Sequence, residues 1–394
     1  MTPPRLFLVA GELSGDRLGG SLMQALRKRA PGVAFFGLGG PLMSAQGLAP
    51  LFPISETAVM GLVEVLPRIR RILRRIDETA RAAIEADPDA LVTIDSPDFG
   101  LRVAARFKKA RPETPVIHYV APSVWAWRPG RAKRMARHVD HVLALLPFEP
   151  PYMAAAGMGC SFVGHPAVEL DRPLPTARAA WRARFGPGPV LCVLPGSRRG
   201  EVRRLLPLFG ATVAKLARRH AGLAVVVPAA LHVVDQVEQG VSDWPCPVTL
   251  LDPREASAEA ADRRKLAAFA GADAALSASG TVVLELAAMG CPMVAAYRVN
   301  HLTSLIIRHI VKVRTANLVN LLTEDDAVPE YLQEYATPDV LAAALDPLLR
   351  NGAARDAQIA AQERAMLRIG RGDTSPSDRA AQAVLSVIAQ KQPA

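Results

Sequence analysis

Two turns in this sequence put anion-binding chemistry where a strand gives way to a helix. The stretch VLPGSRRGEVRRLLP, residues 193–207, ends an apolar run at Pro195-Gly196 and continues with Ser197, Arg198 and Arg199. Free backbone N–H groups and the positive end of a helix dipole converge at such a place, and Arg198 adds a planar charged fork suited to phosphate. Glu201 lies three residues beyond Arg198, the spacing of a capping box. The stretch SASGTVVLELAAMGCP, residues 277–292, repeats the arrangement with Ser279, Gly280 and Thr281 at a second helix start. Glu285 follows among apolar residues, where an unpaired carboxylate is costly. Accepting hydrogen bonds from a ribose diol gives it a use while the two turns hold a diphosphate. An ordinary strand-to-helix turn accounts for Ser197-Arg198 alone; the repetition favours a nucleotide.

The first half of the chain carries acids in the same kind of place. VAGELSGDRLGG, residues 9–20, is strand, glycine turn and helix, but it lacks the G-x-G-x-x-G spacing. Glu12 and Asp16 would repel a pyrophosphate, so Glu12, Ser14, Gly15 and Asp16 are read as a sugar-binding turn with the acids as acceptors. IDSPDFG, residues 94–100, follows a strand with Asp95 and Asp98, one of which could serve as general base for an attacking hydroxyl. An Asx turn or helix cap is the commoner role for such residues. HYVAPSVWAWRPGRAKRMARH, residues 118–138, interleaves Trp125 and Trp127 with Arg128, Arg131, Lys133 and Arg134. That mixture can stack on a base or cradle a sugar phosphate, or can simply be a solvated basic helix. His165 in FVGHPAVE is equally well explained as a buried structural histidine.

Residues 57–76, TAVMGLVEVLPRIRRILRRI, join an apolar stretch containing Val59, Met60, Leu62 and Val63 to a basic amphipathic segment. Ile69, Ile72, Leu73 and Ile76 share one helical face, and Arg68, Arg70, Arg71, Arg74 and Arg75 cover the rest. Docking on anionic lipid would gain roughly 1 kcal/mol per basic residue near the surface. A helix covering a sheet is the commoner use of the pattern; the apolar lead-in tilts the reading toward a membrane contact.

These turns need elements to hold them. Apolar runs at Leu6–Ala10, Val33–Leu38, Ala90–Ile94, Val116–Val120, His141–Leu145 and Ser161–Val163 alternate with helical patterns. After a Pro-rich stretch the alternation resumes at Val190–Leu194, Ala224–Val227, Val248–Leu251, Ala274–Ser277 and Met293–Tyr297. Continuous apolar strands separated by helices predict parallel sheets covered on both faces, hence an α/β protein of two doubly wound, Rossmann-like domains. The expected division is one domain over 1–170 with the membrane-contact segment, a second over 171–365 with the two phosphate-type turns, and a helical tail over 366–394 that packs back on the first domain. The hinge is expected near 166–180. Ligands in open parallel sheets bind beyond the carboxyl ends of the strands, where each of the turns above falls.

A length of 394 residues allows two cores, and a formal net charge of +10, from 47 Lys+Arg against 37 Asp+Glu, points to an anionic partner. The four cysteines form no CxxC pair, which argues against a zinc site or a disulfide framework and for a reducing compartment. The N-terminus enters a strand directly and no window approaches about 20 apolar residues, so neither a signal peptide nor a bilayer span is expected.

In this order, AGELSGD, GLGG, MGLVEVLP, IDSPDF, HYVAPSVWAWRPGR, LLPFE, FVGHP, LPGSRRGE, SASGTVVLELA and CPMVAAYR resemble the lipid A disaccharide synthases, bacterial glycosyltransferases of GT-B architecture. The likeness runs from residue 10 to about 298 and weakens toward the end. It implies two Rossmann-like domains facing a cleft, and transfer of a diacylglucosamine from UDP-2,3-diacylglucosamine to the 6-hydroxyl of 2,3-diacylglucosamine 1-phosphate. The product is a β-1,6 disaccharide on the way to the lipopolysaccharide of Gram-negative bacteria. By the same resemblance, Ser197, Arg198, Glu201 and Ser279-Gly280-Thr281 serve the UDP diphosphate, Glu285 the ribose, and Asp98 is the base, with Asp95, Asp16 and Glu12 as rivals. Trp125 and Arg128 join Glu12, Ser14, Gly15 and Asp16 on the acceptor. The family's Leu-Pro-Asn asparagine matches Asn320, but Val319 stands where the proline belongs, and Asn317 is the alternative.

No cofactor and no metal is expected: no DxD-type acidic pair is placed for one, and two helix N-termini with an arginine can neutralise a leaving diphosphate. Both substrates carry acyl chains, so a peripheral enzyme on the cytoplasmic face of the inner membrane is expected, touching its anionic surface through 57–76; a homodimer is compatible with the sequence. A UDP-sugar epimerase or another UDP-sugar transferase would share the second-domain turns without needing 57–76. A nucleic-acid-binding protein would use the positive charge but leave Glu12, Asp16 and Glu285 without purpose, and no nucleic-acid partner is expected. A membrane-adhesion module needs no pair of phosphate-type turns.

Overall fold

The apolar runs become strands because their β-branched and aliphatic residues can be buried on both faces at once; all five residues of Val190–Leu194, for instance, are buried. A computed structural model describes residues 3–57, 69–125, 130–298 and 315–391. Val59, Met60, Leu62, Val63 and Arg128 lie outside them.

Arg5–Ala10 (β1), Ala34–Leu38 (β2), Ala90–Ile94 (β3), Val116–Tyr119 (β4), His141–Ala144 (β5) and Gly159–Phe162 (β6) make one parallel sheet in the order β2-β1-β3-β4-β5-β6. Val190–Leu194 (β7), Ala224–Pro228 (β8), Val248–Leu251 (β9), Ala274–Ala278 (β10), Met293–Tyr297 (β11) and Glu330–Leu332 (β12) make the other, in the order β12-β11-β10-β7-β8-β9. The two doubly wound sheets read from the sequence are present. β12 was not among the expected strands: it has three residues, too few for a visible apolar run.

Each sheet has one place where the strand order reverses, between β1 and β3 in the first and between β7 and β10 in the second. Loops leave such a switch point in opposite directions and open a crevice for ligand. The segments after these four strands are AGELSGD, IDSPDFG, LPGSRRGE and SASGT.

The chain divides into two compact units, Met1–Glu169 with Gly372–Ala394, and Leu170–Arg371. Phe7, Val9, Leu91, Val103, Phe107 and Val142 lie in the core of the first; Leu191, Val193, Val202, Phe209, Val225, Leu276 and Val294 in that of the second. The last helix, Pro376–Lys391, belongs to the first unit and packs on the helix Leu13–Arg29. Ser377 binds Glu169 through both its backbone N–H and its hydroxyl, and Arg29 pairs with Asp378 at 3.5 Å.

Candidate active site

In the first unit the switch point is crowded with acids and hydroxyls. The turns after β1 and β3 touch: a Cβ on Gly11 would lie 2.7 Å from Ser96 Oγ, so only glycine fits there. Ser14 donates its hydroxyl to Asp95 Oδ2 at 2.6 Å, and Ser96 donates to Glu12 Oε1 at 3.3 Å. Asp95 and Ser96 both have positive φ, 52° and 39°, and Val120 after β4 has φ 85°. Left-handed backbone is unfavourable for these residues, most of all for a β-branched one, and such strain gathers at functional sites. The N–H of Asp95 is held by the carbonyl of Tyr119 at 2.9 Å.

Asp98 sits one turn on, in the helix Pro97–Ala110, and its side chain is 94% exposed, with Arg131 at 3.2 Å. Beneath the strand ends, His118 is fully buried with Nδ1 2.7 Å from Thr93 Oγ1. Burial pushes its pKa down to about 4 against the pull of the Asp95 carboxylate, so the imidazole is neutral.

Two residues of the expected sugar-binding turn have other work. Asp16 is 1% exposed, and its carboxylate accepts the N–H groups of Gly40, Leu42 and Met43 at 2.7, 3.0 and 2.9 Å. It holds the start of the helix Pro41–Ala45 and has no face for a sugar. Gly15 is a packing glycine: a Cβ there would come within 2.9 Å of the Ile94 carbonyl oxygen. Glu12 and Ser14 remain at the switch point, and Glu12 takes the N-cap position of the helix Leu13–Arg29.

Trp125 stands edge-on to Phe148, ring centroids 5.1 Å apart, and its indole N–H points at Glu149 Oε1 at 3.4 Å. Glu149, which sequence reasoning passed over, is 3% exposed and accepts the Leu146 N–H at 2.9 Å. Burial raises its pKa to about 7. The signal was present in LLPFE, an acid closing an apolar run.

The basic helix Ile69–Ala86 splits into two sets. Arg71 and Arg75 both bind Glu56, with Nη2 to Oε2 distances of 2.9 and 2.8 Å, and Arg75 lies over the Phe52 ring at 4.3 Å. The hydrogen bond from Arg75, and after it that from Arg71, holds the Glu56 carboxyl below its ordinary pKa. Arg70 and Arg74 are exposed, as is Ile69. Of the four arginines expected on a lipid face, Arg71 and Arg75 are thus tied to Glu56.

In the second unit, Gly196 has φ 109°, and Glu201 crosses back to accept the Arg198 N–H at 3.3 Å and to pair with its guanidinium at 3.3 Å. Tyr297 also donates to Glu201, at 3.3 Å. Glu201 is thus the cap and brace of the helix Arg199–Ala217, while the Arg198 side chain stays 62% exposed. After β10, Gly280 and Thr281 are exposed at the start of the helix Val282–Met289, where their carbonyls accept the Val283 and Leu284 N–H groups at 3.3 and 3.1 Å. Glu285 one turn on pairs with Lys265 at 2.9 Å, and Lys265 lines a recess of about 80 Å³ bounded by the ends of β8 and β9 at Pro228 and Leu251.

Asn320, matched to the family's asparagine, is engaged with the backbone of its own unit. It is 4% exposed, and its amide closes a loop by donating to the Val328 carbonyl and accepting the Val328 N–H, each at 2.8 Å. The alternative, Asn317, is fully buried and caps the helix Leu318–Thr323 through the Val319 N–H. Among the described residues no cluster of His, Cys, Asp and Glu could hold a metal ion, and no helix is long and apolar enough to cross a membrane.

Two doubly wound units, each with one reversal of strand order, make an α/β protein of GT-B architecture. The family profile of lipid-A-disaccharide synthetases matches residues 6–384, and the chain belongs to that family. It is 54% identical over 383 residues to the lipid-A-disaccharide synthase of Ruegeria pomeroyi, covering 97% of this chain and 94% of the relative. It is 50% identical over 396 residues to that of Rhodospirillum centenum, covering 99% and 96%. Among solved structures, UDP-GlcNAc 2-epimerase from Neisseria meningitidis bound to UDP-GlcNAc aligns with TM-score 0.61 at 11% identity over 98% of this chain and 100% of that one. MurG of Acinetobacter baumannii aligns with TM-score 0.56 at 16% identity, over 98% and 100%. The last two are likenesses of fold. The function is that of the family, lipid A disaccharide synthesis by glycosyl transfer.

Proposed function

We propose that the enzyme joins UDP-2,3-diacylglucosamine to 2,3-diacylglucosamine 1-phosphate with inversion, making a β-1,6 disaccharide and releasing UDP. The observation that carries this reading is the opposite chemistry of the two switch points: acids and hydroxyls after β1 and β3, an exposed arginine and helix N-termini after β7 and β10. The first suits activation of a sugar hydroxyl; the second suits a diphosphate that gains charge as it leaves.

Asp95 is the base in this proposal, in place of Asp98. Asp95 sits at the strand end in strained backbone, oriented by the Ser14 hydroxyl, whereas Asp98 lies exposed against Arg131. The 6-hydroxyl gives its proton to the Asp95 carboxylate as its oxygen attacks the anomeric carbon opposite UDP. The bond from that carbon to the β-phosphate oxygen breaks, and its electron pair leaves with UDP. Arg198 and the N–H groups ahead of the helix Val282–Met289 stabilise that charge. Glu285, taken over from Lys265, holds the ribose, and the recess beside Lys265 takes the base. Arg70, Arg74 and Ile69 face anionic lipid, which brings the enzyme to its acylated substrates.

The test is disaccharide formation from the two named substrates, with EDTA present, for wild type, Asp95→Asn and Asp98→Asn. Product from wild type and Asp98→Asn, with almost none from Asp95→Asn, is expected. No product from any of them despite UDP binding sinks the transfer reaction. An active Asp95→Asn beside an inactive Asp98→Asn returns the base to Asp98.

A further inference from the structure

A carboxylate stands against the turn assigned to the diphosphate. Glu330 opens the edge strand β12, where its register with β11 is fixed by the pair Ala295–Glu330 and by the Ala295 N–H on the Pro329 carbonyl at 2.9 Å. Ser277, on β10, pairs in turn with Ala295, so Ser277, Ala295 and Glu330 form one row on one face. From there the Glu330 side chain reaches toward the turn that follows β10. Its Oε1 accepts the Ser279 hydroxyl at 2.9 Å. Its Oε2 accepts the Thr315 hydroxyl at 2.6 Å and the Ala316 N–H at 3.0 Å. The chain of bonds continues: the Asn317 N–H donates to Thr315 Oγ1 at 3.1 Å, and Asn317 caps the helix that carries Asn320. One carboxylate thus ties the turn after β10 to the segment 315–320.

The Ser279 hydroxyl proton is therefore engaged and cannot also bind a phosphate oxygen. A negative charge this close to an anion site costs affinity through repulsion unless it sets geometry that returns more. We propose that Glu330 is a positioning residue for the donor site: it fixes Ser279 so that Gly280, Thr281 and the helix N-terminus face the diphosphate, and Ser279 acts through this brace and not as a ligand. This rests on the reading of Ser279-Gly280-Thr281 as a diphosphate turn.

The experiment is calorimetric binding of UDP alone to wild type, Ser279→Ala, Glu330→Gln and the double variant, followed by steady-state kinetics with both substrates. Each single variant is expected to weaken UDP binding about tenfold, the effect of one lost charge-assisted hydrogen bond. The double variant should be no weaker than the worse single one, because both changes break the same contact. KM for the acceptor should not move. Ser279→Thr, which keeps a hydroxyl, should bind UDP as wild type does, an outcome that general loosening of the fold would not give. Wild-type affinity in Ser279→Ala overturns the proposal even where Glu330→Gln fails to fold, and so do losses that add in the double variant. Absence of UDP binding by wild type itself overturns the donor-site reading and this inference with it. UDP binding by wild type that is undiminished in the variants overturns this inference alone.

Discussion

Ser14 donates its hydroxyl to Asp95 across 2.6 Å, joining the first turn of the helix Leu13–Arg29 to the left-handed turn that ends β3. One residue supplies a carboxylate and the other aims it. In a Ser14→Ala variant turnover should fall by about tenfold with UDP affinity unchanged, while Asp95→Asn should lower it by the 10²–10⁴-fold typical of a lost general base. Equal activity of Ser14→Ala and wild type would show that Asp95 needs no such partner.

Arg198→Ala is expected to weaken UDP binding by about ten- to a hundredfold, as one charged hydrogen-bond donor is lost. Glu201→Gln keeps the shape of the cap but loses the charge that braces Arg198, and should show a smaller loss. Calorimetric titration with UDP separates the two, and an Arg198→Ala protein that binds as tightly as wild type removes Arg198 from the donor site.

Asp16 predicts a loss of stability, not of chemistry. Three backbone N–H groups converge on its buried carboxylate, so Asp16→Ala should cost at least about 2–3 kcal/mol, the scale for leaving buried donors unpaired. Denaturant melts give the measure. A stable Asp16→Ala protein with a raised acceptor KM would put the sugar-binding role back.

Glu149 should write itself into the pH dependence of stability. Its carboxyl titrates near 4.5 in the unfolded chain and at about 7 when buried in the fold. The folded state thus holds the extra proton between these values, and stability from this group is complete below about 4.5 and declines as pH rises toward 7. Melting temperatures from pH 4 to 8 should show a steeper fall for wild type than for Glu149→Gln over that window. Parallel curves would mean that the buried group is not titrating there.

The arginines of the helix Ile69–Ala86 should separate by function. Arg70→Gln with Arg74→Gln should release the protein from anionic vesicles without lowering its melting temperature. Arg71→Gln with Arg75→Gln, which strips both partners from Glu56, should lower the melting temperature. Flotation of both pairs with vesicles distinguishes them, and equal vesicle loss in the two pairs would contradict the split.

The sheets were legible in the sequence because a strand buried on both faces must be almost wholly apolar, as in VLCVL before Pro195 and, Thr93 apart, ALVTI before Asp95. The turns were legible because glycine and small polar residues follow those runs directly. What a strand-and-turn reading could not supply was the partner of each acid. Asp16 and Glu12 are alike in sequence context, yet one is sealed under the helix Pro41–Ala45 and the other stands at the switch point. Arg71 and Arg75 read as surface charge until Glu56, fifteen and nineteen positions away, folds back onto them. Glu330 was invisible for the same reason: its contacts reach Ser279, 51 residues earlier, and its strand is three residues long.

The return of Pro376–Lys391 to the first unit makes the second unit an insertion within the first. On a ribosome adding about 5–20 residues per second, the roughly 200 intervening residues delay that helix by about 10–40 s. During this interval the helix Leu13–Arg29 has no cover for the side that its last partner will occupy. The half of the enzyme made first is thus completed last, and the inserted half, with no segment outstanding, is free to mature ahead of it. Chaperone demand should accordingly concentrate on the nascent N-terminal part, and loss of the last twenty residues should harm the half that lies farthest from them in sequence.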